Sequence, residues 1–345
     1  MTLPPPPRAW NIDELTVDRA QAVEAFGFTE RQARLLATVM LHSGVFVERQ
    51  YCAFAGIVHG QKTHDFLERL STREMVKPIA VGPLHRGRLY HVHHKPLYAA
   101  IGEMDNRHRK PMSTGRMIER LMVLDAVLDD GTFTWLATEF DKRSYFLRRL
   151  STGVPLRDYP RLTFGEGTAQ TVRLFPDKMP IGIQRDGHDH RFLYLVTCPE
   201  PMDFRVFLLR HAELLRSLHQ WTIRVLFPQP FARAIPRFGH AAREAIATPM
   251  NPDAREELLW YFRERHAGRR DRAPAAEQRF RTASLYYRAP RFRALYRAWL
   301  HQGDGVVWAA ASAVLKDKLE RREGRFEFVP LSRQYLHLSS LVGVA

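Results

Sequence analysis

Cysteine is nearly absent. Cys52 and Cys198 are the only two, far apart and in no metal-ligand spacing, which excludes a disulfide scaffold and fits a reducing compartment. Long apolar runs are missing too. The longest, Val306 to Leu315 with Ser312 inside it, is about half of what a membrane-spanning helix requires. The chain starts with a run of prolines, Pro4 to Pro7, and no apolar stretch, so no signal peptide is expected and residues 1–11 read as a disordered tail. Signatures of catalysis are equally scarce. Gly165-Glu166-Gly167 lacks the lysine and strand context of a phosphate-binding loop, and Gly-x-Ser-x-Gly, His-Glu-x-x-His and Cys-x-x-Cys do not occur. The expectation is a soluble, cytoplasmic protein without catalytic residues, metal or cofactor.

Positive charge is what the sequence has in excess. Over 345 residues there are 52 Lys+Arg against 37 Asp+Glu, a net of +15, while 45% hydrophobic residues match an ordinary globular chain. The length fits about two domains. The excess is unevenly spread: residues 1–50 carry −1, residues 51–110 carry +5, residues 111–200 are neutral, residues 201–300 carry +10 and residues 301–345 carry +1. A basic balance of this size speaks of partners and solubility rather than fold. Arginine dominates the second basic zone, and its planar fork suits phosphate. The plainer alternative is a solvated basic surface.

The first basic zone coincides with a DNA-binding pattern. Ile12 to Phe26 has helical apolar spacing closed by Gly27, and Thr29 is a cap for a helix over Glu30 to Leu41 that Gly44 stops. Val47 to Ala55 reads as a short third helix ended by Gly56, and Gln61 to Arg73 as a fourth with Phe66, Leu67 and Leu70 inward. Strand-like Met75 to Val81 and Arg88 to His94 flank the turn-rich Gly82 to Gly87. Short helices followed by a hairpin are the winged helix-turn-helix, whose recognition helix enters the major groove. In that arrangement Gln61, Lys62, Thr63 and His64 occupy the first turn of the recognition helix. Arg69 and Arg73 face DNA backbone, and Arg86 and Arg88 sit at the wing. A protein–protein module with these side chains solvated is the alternative. His85, His91, His93 and His94 cluster locally, but their alternation along a strand argues for surface residues rather than a metal site.

Residues 107–115 look like a linker. Beyond it, a helix over Met117 to Leu128, a strand over Thr134 to Ala137 and a helix reaching Arg149 precede strands at Thr171 to Phe175, Met179 to Gln184 and Arg191 to Thr197. A helix over Phe204 to Gln220 and a strand over Thr222 to Phe227 complete a mixed α/β sheet. With Pro176-Asp177 after its first strand, this order is similar to the restriction-endonuclease-like core. Such nucleases add an acid and a lysine on the next strand to hold Mg²⁺, and here that strand reads Phe192-Leu193-Tyr194-Leu195-Val196-Thr197 with neither. The winged-helix pattern over Thr29 to Ile101, followed by Leu174-Phe175-Pro176-Asp177 through Phe227, resembles the replication-relaxation family of plasmid and conjugative-element proteins. That resemblance covers a little more than a third of the chain. It implies a DNA-binding accessory protein of a mobile element with a degenerate, scaffolding core.

The last third reads as helices over Ala232 to Ile246, Pro252 to His266, Ala276 to Tyr287, Arg291 to Leu300 and Val306 to Arg322. Arg325 to Leu331 and Tyr335 to Val344 are candidate closing strands or a docking tail. Arg281, Arg288, Arg291, Arg293 and Arg297 alternate with aromatics, a pattern of backbone or single-strand binding, so they are secondary nucleic-acid candidates beside the alternative of core rings with arginines outside. The expected organisation is α+β: a tail (1–11), a winged helix-turn-helix domain (12–106), an α/β nuclease-like core (107–230) and a basic helical region (231–345). The expected partners are DNA, other proteins or a second copy of the chain, with no membrane. The leading function is a non-catalytic DNA-binding factor acting in transcription, replication or transfer. An adaptor subunit of a transposition or defence assembly comes second, and a divergent Mg²⁺-dependent nuclease third.

Overall fold

In the computed structural model α1 (Ile12–Glu24) runs up to Gly27, and α2 (Glu30–His42) starts at Thr29. The Thr29 hydroxyl accepts from the Gln32 amide at 3.4 Å, and Gln32 Oε1 accepts from the Thr29 amide at 3.2 Å, a reciprocal cap that fixes where the helix begins. It ends at Gly44, where φ is +75° and a Cβ would overlap the His108 carbonyl. The structure describes residues 12–80, 88–149, 156, 159–165, 169–185, 187–269, 271–333 and 335. The tail at 1–11 and the hairpin tip at 81–87 lie outside them.

β1 (Val45–Val47), α3 (Glu48–Ala55), α4 (Gln61–Thr72), β2 (Val76–Ala80) and β3 (Arg88–Val92) follow. Val47 is not helical as its spacing suggests. It ends a strand, with Val45 opposite His91 and Val47 opposite Leu89, and its amide donates to Gln50 Oε1 at 3.0 Å. The resulting antiparallel sheet has the order β1-β3-β2. It closes over α2, α3 and α4 around Leu36, Phe46, Tyr51, Phe66, Leu70 and Tyr90, all buried.

α5 (Lys95–Ala100) leads to 107–115, which is not a plain linker. Arg107–Arg109 is a 3₁₀ turn capped by Asn106, and His108 is buried against Gly44. Then come α6 (Thr114–Leu128), β4 (Phe133–Leu136), α7 (Glu139–Arg149), β5 (Arg161–Phe164), β6 (Thr171–Leu174), β7 (Ile181–Gln184), β8 (Asp189–Leu195), α8 (Met202–Ser217) and β9 (Gln220–Phe227). The strand read at 171–175 does not belong to the main sheet. β6 pairs only with β5, which lies outside the expected strands, as a two-stranded ribbon. β4 takes its place, antiparallel to β7, with β7 antiparallel to β8 and β8 parallel to β9 across the α8 connection.

Past β9 the chain forms α9 (Ile235–Ala242), a π turn at Arg243–Ala247, α10 (Arg255–Ala267), α11 (Pro274–Tyr286), α12 (Pro290–Gln302), α13 (Gly305–Ala311), α14 (Val314–Glu320) and β10 (Gly324–Pro330). The expected single helix over 306–322 is two, because the chain turns extended at Ser312. β10 returns to the central sheet, parallel to β9, giving the order β10-β9-β8-β7-β4. Gly324 enters that strand against the Trp221 indole, where a Cβ would overlap the ring. No helix among the described residues is long and apolar enough to cross a membrane.

Two helices join the parts. α6 packs Leu121, Met122 and Val123 in one cluster with Val45 and Leu89 of the small sheet and Leu193, Leu195 and Leu226 of the large one. α8 gives Phe204, Phe207 and Leu208 to the central core and Val206 and Leu209 to the C-terminal helices. That shared burial explains its apolar residues on more than one face. Arg19 of α1 bonds both carboxylate oxygens of Asp141 on α7, at 3.2 and 2.9 Å, with both side chains buried.

Candidate nucleic-acid interface

α4 begins at Gly60 with no side-chain cap, and its first turn exposes Gln61, Lys62 and His64. Thr63 is not among the exposed residues. The helical period turns it inward to full burial, its hydroxyl 3.4 Å from Cys52 Sγ. Gln61 Nε2 donates to Asp65 Oδ1 at 2.6 Å, and His64 Nε2 stands 3.9 Å from Glu68, so the outer face mixes both signs of charge. Arg69 and Arg73 reach back to the end of α1, donating to the Gly27 carbonyl at 3.1 Å and the Phe26 carbonyl at 2.7 Å. They satisfy carbonyls left unpaired by a helix C-terminus rather than projecting with Lys62. Arg88 is exposed at the start of β3, and Arg86 lies outside the described residues.

The histidines of β3 divide similarly. His91 is buried, its Nε2 donating to the His108 carbonyl at 3.0 Å, and burial lowers its pKa. His94 is lowered for the same reason. His85 is outside the described residues, among which no group of three His, Cys, Asp or Glu side chains is placed to hold a metal ion.

Asp177, just ahead of β7, is engaged in an ion pair. Its Oδ1 accepts from Arg210 Nη1 at 2.6 Å, and its Oδ2 lies 3.8 Å from His211. His211 Nδ1 donates to the Phe207 carbonyl at 2.9 Å, and burial brings its pKa down to about 4, so the ring is neutral. Fully buried Lys142 donates to the Met179 carbonyl at 2.7 Å, its pKa brought down to about 8 chiefly by burial. The void beside these groups, about 10 Å³, holds no more than one water. Sequence spacing gave no sign of this gathering, because Lys142, Asp177 and Arg210 come from three elements more than 30 residues apart.

The C-terminal arginines are mostly committed inside the protein. Arg281 Nε donates to Glu277 at 2.9 Å, Arg291 Nη2 donates to the Thr248 carbonyl at 2.5 Å, and Arg297 Nη1 reaches Asp203 at 3.4 Å. Arg288 and Arg293 are exposed, their side chains with no hydrogen bond or ion pair among the described residues. The rings between them are used internally: Arg272 covers Phe280 at 3.8 Å, Arg265 covers Tyr296 at 4.3 Å and Tyr287 packs on Phe292 at 4.9 Å. No family profile, curated protein or solved structure matches the chain.

Proposed function

We propose that residues 30–92 form a winged helix-turn-helix and that the protein binds duplex DNA through it, without catalysing a reaction of its own. The observation that supports this reading is the order α2, β1, α3, α4, β2, β3 with the sheet order β1-β3-β2, in which a hairpin directly follows an exposed, uncapped helix start. Lys62 is free to meet phosphate there and Arg88, exposed beside the Tyr90 hydroxyl that it bonds, is the second cation, with Gln61 and His64 the side chains suited to base edges. Asp65 and Glu68 on the same helix keep the surface from being a simple polycation sink, which favours a defined docking register over diffuse attraction. On this reading the central sheet is a scaffold. Its similarity to the restriction-endonuclease-like core carries no catalysis, since Asp177 is paired with Arg210 ahead of β7, while the carboxylate of β8, Asp189, lies at the far end of that pairing, beyond the His190–Ile183 pair. Together with the resemblance to replication-relaxation proteins, the reading is of a cytoplasmic accessory factor of a mobile element.

The test is duplex binding by the full chain, followed by fluorescence anisotropy across a salt series. Wild type is expected to show a linear fall of log K with log salt. Replacing Lys62 and Arg88 together by alanine should make that slope shallower by about two, one for each lost phosphate contact. Equal affinity and an unchanged slope in the double variant would remove the small unit as the reader.

A further inference from the structure

A second concave site lies between the small unit and the central sheet. It is a cleft of about 370 Å³, lined on one side by the 103–108 segment with Leu41 and on the other by Thr138, Glu139 and Lys142 of the α7 layer and by Arg173, Phe175 and Lys178 around the end of β6. Its volume is in the range of small-molecule sites.

Two of the cations in this cleft lack a partner within the protein, unlike the paired arginines Arg272, Arg279 and Arg281 of the C-terminal helices. The Arg107 guanidinium, half-buried in the 3₁₀ turn, and the Lys178 ammonium make no hydrogen bond or ion pair among the described residues. Arg173 has only Glu139, at 3.7 Å. Lys142 is spent on the Met179 carbonyl. Burial pulls Arg107 down to about 10, and the neighbours that add to the effect are Arg120, Arg173 and Arg116. Lys178 is drawn down to about 8 by burial, with Arg107, Arg173, Arg120 and Arg116 acting in the same direction. Arg107 is half-buried while Arg173 and Lys178 are exposed at the cleft mouth, so their like charges are partly screened by solvent, and an anion seated among them would relieve the remaining repulsion.

The rest of the lining selects among anions. Glu103, Asp105, Asn106 and Glu139 supply carbonyl and carboxylate acceptors. Three carboxylates disfavour a long polyanion threading the cleft, but they suit a compact molecule with hydroxyl or amino donors at one end and an anion at the other. A phosphomonoester on a sugar or nucleoside has that chemistry, and an arginine–lysine set is the usual recognition element for its phosphate.

We propose that this cleft binds the phosphomonoester of a nucleotide-sized ligand, with Arg107, Arg173 and Lys178 holding the phosphate and Glu103 and Asp105 accepting from the sugar or base. Its lining shares no residue with the surface assigned to duplex DNA. Because its walls come from the small unit and from the sheet layer, a bound ligand would tie the two together.

The test is thermal unfolding of the full chain with inorganic phosphate, AMP, ATP, and a 5′-phosphorylated oligonucleotide beside its unphosphorylated twin. AMP or ATP at saturating concentration is expected to raise Tm by about 2 °C or more, and inorganic phosphate by less. The shift should vanish in Arg107→Gln/Lys178→Gln, whose ligand-free Tm should equal or exceed that of wild type, since only unpaired charge is removed. A shift with the phosphorylated oligonucleotide alone, lost in the same variant, would make a strand terminus the source of the phosphomonoester. No shift with any probe, a shift that survives the double substitution, or a ligand-free variant less stable than wild type would overturn the proposal. Duplex binding is read by anisotropy through different residues, so either reading can fail without the other.

Discussion

Residues 201–300 carry a net charge of +10, yet most of their arginines described above are paired, while Arg107 and Lys178, in and beside a window that is neutral in sequence, share one cleft without a partner. In the helical region arginine is a packing residue. Arg272 is buried, donates to the Glu264 side chain and carbonyl, both at 3.0 Å, and lies over Phe280. Arg279 pairs with Glu257 over Trp260, and Arg263 meets Asp304 at 2.6 Å. In the cleft, arginine and lysine converge on one another instead. Net charge along the chain therefore counts the wrong quantity, because a cation already held by a carboxylate or ring attracts little else. What points to a ligand is the charge left over after the protein's own partners are subtracted.

That contrast can be broken or sharpened by substitution, beginning with the largest effect. Arg19 and Asp141 stand near the cleft but are paired and buried, so Asp141→Ala should cost about 3–5 kcal/mol in denaturant unfolding by stranding a buried guanidinium. A loss below about 1 kcal/mol would mean that the contrast between paired and unpaired cations does not hold even there. In the helical region Glu264→Ala should cost about 2 kcal/mol, less than the first because Glu264 keeps some solvent exposure. Removal of Arg107 and Lys178 should cost nothing, which is the opposite pole of the comparison.

A weaker and more distributed effect concerns pH. Burial holds His42 down at about 3, His211 at about 4 and His108 well below the ordinary value, so all three are neutral when folded. Their pKa values rise to the ordinary 6.5 on unfolding, so between pH 6.5 and 4 the unfolded chain takes up protons the folded chain refuses. Their contribution to stability is complete above pH 6.5 and is lost as pH falls through that window. Tm should therefore decline from pH 7 to 4, and a flat profile would mean these rings are hydrated in solution.

Local signals were the legible part of the fold. The Thr29 cap, the inward stripe of Phe66, Leu67 and Leu70, the helix ending at Gly56 and the strand character of 191–195 all follow from neighbours a few residues apart. The misplacements share a different cause. Val45–Val47 is too short to show a period of two and is extended only because β3 lies alongside. The 171–174 segment looks like any core strand until β5 claims it, and 107–109 looks like a linker until His108 packs on Gly44. Of the candidate site residues, Lys62, His64 and Arg88 kept their exposed positions. Thr63 turned inward with the helix, and Arg69 and Arg73 were drawn to carbonyls some 42 and 47 residues earlier in the chain.

By itself, then, the sequence determined most of the longer helices and strands and the caps at Thr29 and Gly56, the overall cationic excess and the scarcity of thiol and nucleotide-loop chemistry, since each rests on residue type or on contacts within a turn or two. Only the tertiary structure decided that the 171–174 segment pairs with 161–164 outside the main sheet, which arginines found a carboxylate, and that Arg107, Arg173 and Lys178 share one cleft. Those outcomes depend on pairings between residues tens to hundreds of positions apart. The energy of a charge is set by what surrounds it, and composition does not record its neighbours.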